Sequence, residues 1–295
     1  MAAPLQFVAA IAIFAGWGIV ARSIDLPPPL LLAIICGAGA ATCAVMAKEP
    51  LKWHPHAIVV GTILAADLLL LILAYRRIDF ATAVALHNAG PILVIMLAPV
   101  IAGDPFRLRS LLLAVAGCMA VAVVCGAKIS EAGPDTLSGI CFALMSAVTL
   151  ALSMLVQRKL MKQGENVINT VLQYNIVLCL WYVVAMIVWP MMEGEDGFPD
   201  WSIRISDVVS AILAGILAQG GAMLLFNSAS RHLDSDGMAR LSLLGPMMTV
   251  LMGALFYAET PNLIQIMGLV VILATSLGFH NKSLPRSRKT DLLND

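Results

Sequence analysis

Long apolar runs separated by short polar connections divide the chain from end to end. A helix needs roughly 20 apolar residues to cross a membrane, with a range of about 17–25. On that measure the pattern predicts ten spans, at about residues 5–21, 28–47, 57–74, 80–102, 109–127, 137–157, 167–190, 207–227, 236–257 and 262–280. Lipid offers the backbone no hydrogen-bond partners, so runs of this length cross as helices. The longest connection, Met191 to Ser206, carries Glu193, Glu195, Asp196 and Asp200. The first run has no positive leading segment and nine more spans follow it, so it reads as a helix and not as a cleaved leader.

One stretch occurs twice. Ala74 to Pro91 reads AYRRIDFATAVALHNAGP, and 155 positions on, Ala229 to Pro246 reads ASRHLDSDGMARLSLLGP. Six positions match without a gap: Ala74/Ala229, Arg76/Arg231, Asp79/Asp234, Leu86/Leu241, Gly90/Gly245 and Pro91/Pro246. A second pair, AGWGIVAR ending at Arg22 and ALSMLVQR ending at Arg158, links spans 1 and 6. The chain therefore divides into two copies of one unit, residues 1–133 and 134–281, with a tail at 282–295. Five spans per copy is an odd number, so the second copy enters the membrane inverted. Inverted repeats of this kind place a binding site near the midplane, between the halves.

Composition agrees. The 295 residues are 60% hydrophobic and 12% charged, against about 25% charged in a soluble domain. Net charge is zero and no basic block is present, which argues against a nucleic-acid partner. The six cysteines sit in apolar runs with no CxxC and no Cys/His cluster, so no metal or disulfide is expected. With the N-terminus cytoplasmic, twelve Lys and Arg fall on the inside against five outside, which places both termini in the cytoplasm.

The residues after each Gly-Pro carry a resemblance. PILVIMLAPVIAGDPFRLRSLLLAVAG follows in the first copy and PMMTVLMGALFYAETPNLIQIMGLVV in the second, each with an acidic turn, Asp104 and Glu259. This pattern resembles the drug/metabolite transporter superfamily, in particular its ten-helix members built from two EamA-type domains. The family's turn is usually Glu after Gly, and both copies here depart from it slightly. The resemblance implies an all-α membrane protein of ten transmembrane helices in two inverted five-helix repeats. It also implies a bacterial inner-membrane carrier of small organic molecules, with a cavity lined by spans 1, 3, 4, 6, 8 and 9.

Polar residues inside the spans are the candidate site. Asp67 lies about ten residues into span 3, near the midplane, where a charge costs ~2.5–3.5 kcal/mol and must turn inward. It reads as a proton-coupling group or a counter-charge, or else as an interhelical hydrogen bond. His87 and Asn88 lie in span 4, and His87 shares a face with Pro91. Histidine titrates near neutral pH, so Asp67 and His87 are the proton-coupling candidates. Their repeat partners differ: His87 and Asn88 stand opposite Ser242 and Leu243, and Ala85 opposite Arg240. Arg240 in span 9 reads as a carboxylate anchor, a partner for Asp67, or a snorkelling side chain. Gln219 in AQGGA and Trp17 in span 1 are further substrate-binding candidates, while Gln173, Tyr174 and Asn175 cannot share one face. Gly90-Pro91 and Gly245-Pro246 each remove a helical hydrogen bond and read as hinges or as fixed bends. Asp79, Asp234, Asp104 and Glu259 read as helix caps, and Trp53, Trp189 and Trp201 as interfacial anchors.

The expected function is a secondary transporter that exports a small organic metabolite such as an amino acid by alternating access, with proton coupling resting on Asp67 and His87. An uptake carrier for a metabolite or cofactor and a multidrug exporter are the alternatives within the family. No Walker motif, HExxH or GxSxG occurs, so neither direct ATP use nor an intramembrane enzyme is expected, and no cofactor; a passive channel is a third possibility and would conduct without saturation. The expected partners are substrate, protons and the lipid bilayer, in a monomer or weak homodimer.

Overall fold

The computed structural model describes residues 2–75, 77–78, 80–124, 134–193, 203–257 and 263–277. Among these residues every regular element is a helix. In chain order they are α1 (Ala3–Ser23), α2 (Pro28–Met46), α3 (Pro55–Tyr75), α4 (Phe80–His87), α5 (Gly90–Ile101), α6 (Leu108–Val124), α7 (Pro134–Lys162), α8 (Val167–Glu193), α9 (Ile205–Ala214), α10 (Met223–Ser230), α11 (Ser235–Ser242), α12 (Leu244–Tyr257) and α13 (Leu263–Leu277). A π-helical segment, Gly215–Ala222, joins α9 to α10. Prolines open α2, α3 and α7, where the missing N–H has no helical partner to lose.

Five helical stretches are long and apolar enough to cross a membrane: Pro28–Met46, Pro55–Ala74, Thr136–Lys162, Val167–Val188 and Ile205–Ser230. Shorter apolar stretches cover Ala3–Gly16, Ala85–Ile101, Leu108–Val123 and Ile266–Ser276. The expected fourth and ninth spans are each split. α4 ends at His87 and α5 begins at Gly90; α11 ends at Ser242 and α12 begins at Leu244. The cause is local: Pro91 and Pro246 have no N–H to offer the carbonyls of His87 and Ser242, four residues back. The chain stays in the right-handed helical region at Ala89 and Leu243, so each break is a tight turn and not an unwinding.

The halves interleave. α2 packs on α8 and on the π segment, α3 on α7 and α8, α1 on α10 and α12, and α5 on α7 and α11. One apolar cluster joins Phe7 and Ile11 of α1, Val94 and Ile95 of α5, Met154 of α7, Phe226 of α10 and Met238 of α11. Within it the Phe7 and Phe226 rings lie 4.9 Å apart, a separation at which tilted aromatic pairs attract. α6 and α13 pair with each other at the edge and turn Leu112, Met119, Met267 and Val270 outward.

Segments expected on one side of the membrane meet at one end of the bundle. Asp104, in the turn between α5 and α6, is expected to cap the helix that follows it. Instead its carboxylate crosses to the second half. It accepts from Arg158 Nε (2.7 Å) and Nη2 (3.2 Å), from Lys162 Nζ (2.7 Å), and from the backbone N–H (3.0 Å) and hydroxyl (2.6 Å) of Ser235. Arg158 also donates to the Ser230 carbonyl (2.9 Å). Asp104 thus caps α11 from across the interface, while Asp234 caps the same helix through Gly237 N–H, as expected. Arg107 pairs with Asp234 (3.4 Å) and Asp236 (3.6 Å). Arg158, expected in a polar connection, is buried within α7. The caps expected at Asp79 and Glu259 lie outside the described residues, as do the side chains of Trp189 and Trp201. Trp53 is half-exposed near the start of α3.

Burial by itself raises the Asp104 carboxyl, but the hydrogen bonds from Arg158, Lys162 and Ser235 outweigh it and hold the group below the ordinary carboxylate range. Its contribution to stability is therefore complete above about pH 4 and is lost only as pH falls through the depressed value. Asp104→Ala leaves the buried Arg158 guanidinium uncompensated and should cost about 3–5 kcal/mol. A melt of the detergent-solubilised protein reads this as a lower Tm at pH 7. Adding Arg158→Ala to that variant should cost little more, because the two groups act as one unit.

Candidate functional site

A cavity of about 340 Å³ opens between the halves. It is lined from α1 (Ile11, Phe14), α3 (Leu64, Asp67, Leu71), the α4–α5 turn (His87, Asn88, Pro91), α7 (Leu150, Ser153, Gln157), the π segment (Gln219) and the α11–α12 break (Ser242, Gly245, Pro246). Most of the wall is apolar, and the polar groups sit at a few points on it. Both helix breaks face this space.

Asp67 anchors the polar network. It is 4% exposed. Its Oδ1 accepts from the Ser146 hydroxyl (2.8 Å) and the Thr149 hydroxyl (3.2 Å), both on α7. His87 Nδ1 lies 2.7 Å from Ser146 Oγ and 3.8 Å from Asp67 Oδ1. Ser146 spends its one hydrogen on Asp67, so the His87–Ser146 bond takes its hydrogen from Nδ1. The result is a directed chain from imidazole through hydroxyl to carboxylate. Thr149 has a second acceptor in the Ser146 carbonyl (2.9 Å), so it can turn away from Asp67 without losing its bond.

The other wall comes from the second half. The π segment packs so closely on α2 that a Cβ on Gly39 would lie 2.5 Å from Gln219 Cβ. A π turn inserts one residue into the helical register, and such turns recur at functional sites. Here it carries Gln219 on the cavity wall, with its backbone carbonyl accepting from Asn175 Nδ2 (3.2 Å). Gln157, next to Arg158 on α7, is buried and lines the cavity. The Oε1 atoms of Gln157 and Gln219 have no hydrogen-bond partner among the described residues.

Asp67, His87, Asn88, Gln219 and Ser242 thus line one space, with Pro91, Gly245 and Pro246. Gly90 does not. It lets α5 approach α7, where a Cβ would meet Leu150 at 3.1 Å. Arg240 is not on the cavity wall either. Its Nη2 lies 3.4 Å from Asp236 Oδ2 and its Nε donates to the Asp236 carbonyl (3.0 Å), one turn back along α11. The pairing of Arg240 with Asp67 is therefore not made, since helical spacing brings a nearer carboxylate. The Trp17 side chain lies outside the described residues. Gln173 ties the segment before α3, accepting from His54 N–H (2.8 Å) and donating to the Lys52 carbonyl (2.6 Å).

Ser146, Thr149, Ser153 and Gln157 were not singled out from the sequence, although their spacing of three, four and four residues puts them on one face of α7. That polar stripe on an otherwise apolar helix was the available signal.

The architecture is that of a polytopic helical membrane protein with an internal cavity between two interleaved halves. The profile of the EamA-like transporter family matches residues 137–279, just under half of the chain. A solved structure described only as "Crystal structure of protein" superposes with a TM-score of 0.80 at 18% identity, over 93% of this chain and 96% of that one. That likeness concerns the fold. No curated protein matches the sequence.

Gly39→Val should push the π segment off α2 and displace Gln219. Overpacking of this kind costs about 1–3 kcal/mol. The expected outcome is a lower Tm, with a larger loss of ligand affinity than the fall in folded protein accounts for. Unchanged affinity at reduced Tm would mean that the α2 contact does not position Gln219.

Proposed function

We propose that the chain is a secondary transporter that exports a small organic molecule by alternating access, with protons as the coupling ion. The observation that carries this reading is the buried Asp67 carboxylate, joined through Ser146 to His87 on the wall of a cavity between the halves. A volume of about 340 Å³ suits a small ligand, whose pockets run from about 300 to 1,000 Å³. An intramembrane carboxylate in such a place is expensive and usually marks a pathway.

In this reading ten spans form two inverted units, 1–133 and 134–281, in a bacterial inner membrane with both termini cytoplasmic. The Asp104–Arg158–Ser235 tie then shuts the cytoplasmic end in the state described. Asp67 exchanges its proton within the cavity, and Ser146 and Thr149 reorient to follow its charge. Gly90-Pro91 and Gly245-Pro246 flank the cavity in equivalent copies and serve as the places where the halves flex. The expectation of an amino-acid substrate draws on mixed charge in the cavity, Asp67 with Arg240, which suits a zwitterion. Arg240 pairs with Asp236 and is not among the described lining residues, which removes that support.

Reconstitution into liposomes, screened over amino acids, nucleosides and organic cations with and without a pH gradient, tests the reading. Gradient-driven transport should fall at least about tenfold in Asp67→Asn, as expected when one essential proton-transfer group is lost. Transport that keeps its dependence on the gradient in that variant sinks the coupling. Pro91→Ala with Pro246→Ala should slow turnover while leaving binding intact, and an unchanged rate would remove the hinge role.

A further inference from the structure

We infer that the substrate is an organic monocation carrying N–H donors, a primary or secondary ammonium on an apolar body, and not an amino acid or other anion. This inference rests on the transport reading and names the ligand class for the same cavity.

Among the described lining residues the carboxylate is Asp67, beside the His87 imidazole, with no Lys or Arg. A ligand carboxylate or phosphate would meet that charge without a fixed cation to offset it. The neutral polar groups point the same way. The hydroxyls of Ser153, Ser242 and Thr249 each donate to a carbonyl of their own helix, Leu150 (2.8 Å), Ala239 (2.7 Å) and Gly245 (3.1 Å). Each therefore shows the cavity only oxygen lone pairs. The Oε1 atoms of Gln157 and Gln219 are buried and have no partner among the described residues. An orphaned buried acceptor carries an uncompensated desolvation cost. Three hydroxyl oxygens and one carboxylate thus face a single apolar space, with the buried Gln157 and Gln219 carboxamides in its wall.

This surface asks for several donors on a positive group, surrounded by hydrocarbon. A primary ammonium supplies three N–H bonds. A quaternary ammonium of similar shape supplies the charge and none of the donors, so it should bind less well. Along α7 the lining residues Leu150 and Gln157 are seven residues apart, about 10 Å at 1.5 Å per residue. A ligand whose ammonium sits at Asp67 lays its apolar body along this wall.

The test measures binding to the purified full-length protein by calorimetry and thermal shift, followed by transport in proteoliposomes. The probes are tryptamine and phenethylamine, with their N-trimethyl analogues, the corresponding alcohols and the corresponding α-amino acids. The primary amines should bind at least about tenfold more tightly than each counterpart, the scale of one charge-assisted hydrogen bond. Asp67→Asn should abolish the preference for amine over alcohol. Gln157→Leu, which keeps Asp67 and the fold as judged by its melt, should weaken the primary amines severalfold and leave the N-trimethyl analogues nearly unchanged. The inference is overturned if no amine binds at millimolar concentration, if the amino acids bind as well as the amines, or if the amine preference survives Asp67→Asn. Amine binding with no transport of any probe would overturn the transporter reading and leave the ligand class standing. Transport of an amino acid without amine binding would do the reverse.

Discussion

Asp67 cannot face lipid, and that constraint organises the centre of the molecule. A carboxylate halfway along an apolar helix has to turn toward the bundle interior and find donors there. α7 supplies them as Ser146 and Thr149. α3 is thereby held against α7, a helix of the other half, and His87 is drawn to the same hydroxyl from the α4 side. The group most costly to bury is thus also the one that ties the first half to the second beside the cavity.

The second tie works at the end of the bundle. Asp104 collects two cationic side chains and the first N–H of α11, so an acidic turn in one half completes a helix in the other. A buried ion pair of this kind is weak evidence for net stability, but removing one partner is severe. The proline breaks leave the helices that line the cavity without a full hydrogen-bond ladder.

The chemistry of the cavity follows from how its polar side chains satisfy themselves. Ser and Thr hydroxyls on helices readily return their hydrogen to a carbonyl three or four residues back. Three of the lining hydroxyls do so, which turns them into acceptors toward the ligand space. Arg240, the one cation that the spans offered as a partner for Asp67, meets Asp236 at i−4. Local helical geometry thus turns Arg240 toward Asp236 and leaves hydroxyl oxygens on the described part of the wall.

Much of the plan was legible in the chain before any coordinates. Apolar runs of membrane-spanning length and an acid in the middle of a span point to helices and to a polar group that must turn inward, because each depends on local composition or spacing. The helix breaks at Pro91 and Pro246 were legible for the same reason, since proline removes its hydrogen bond wherever it stands. Partner choice was not legible. That Asp104 reaches Arg158 and Ser235, that Asp67 takes Ser146, and that Arg240 stays with Asp236 all depend on which helices lie side by side. The close approach of α2 to the π segment at Gly39, Gly215 and Gly220 likewise depends on that packing. The sequence by itself determined which residues are too polar for lipid and where the helices must bend; only the tertiary structure decided which of those residues meet, because a buried polar group is specified by its partners across the packing interface and not by its neighbours along the chain.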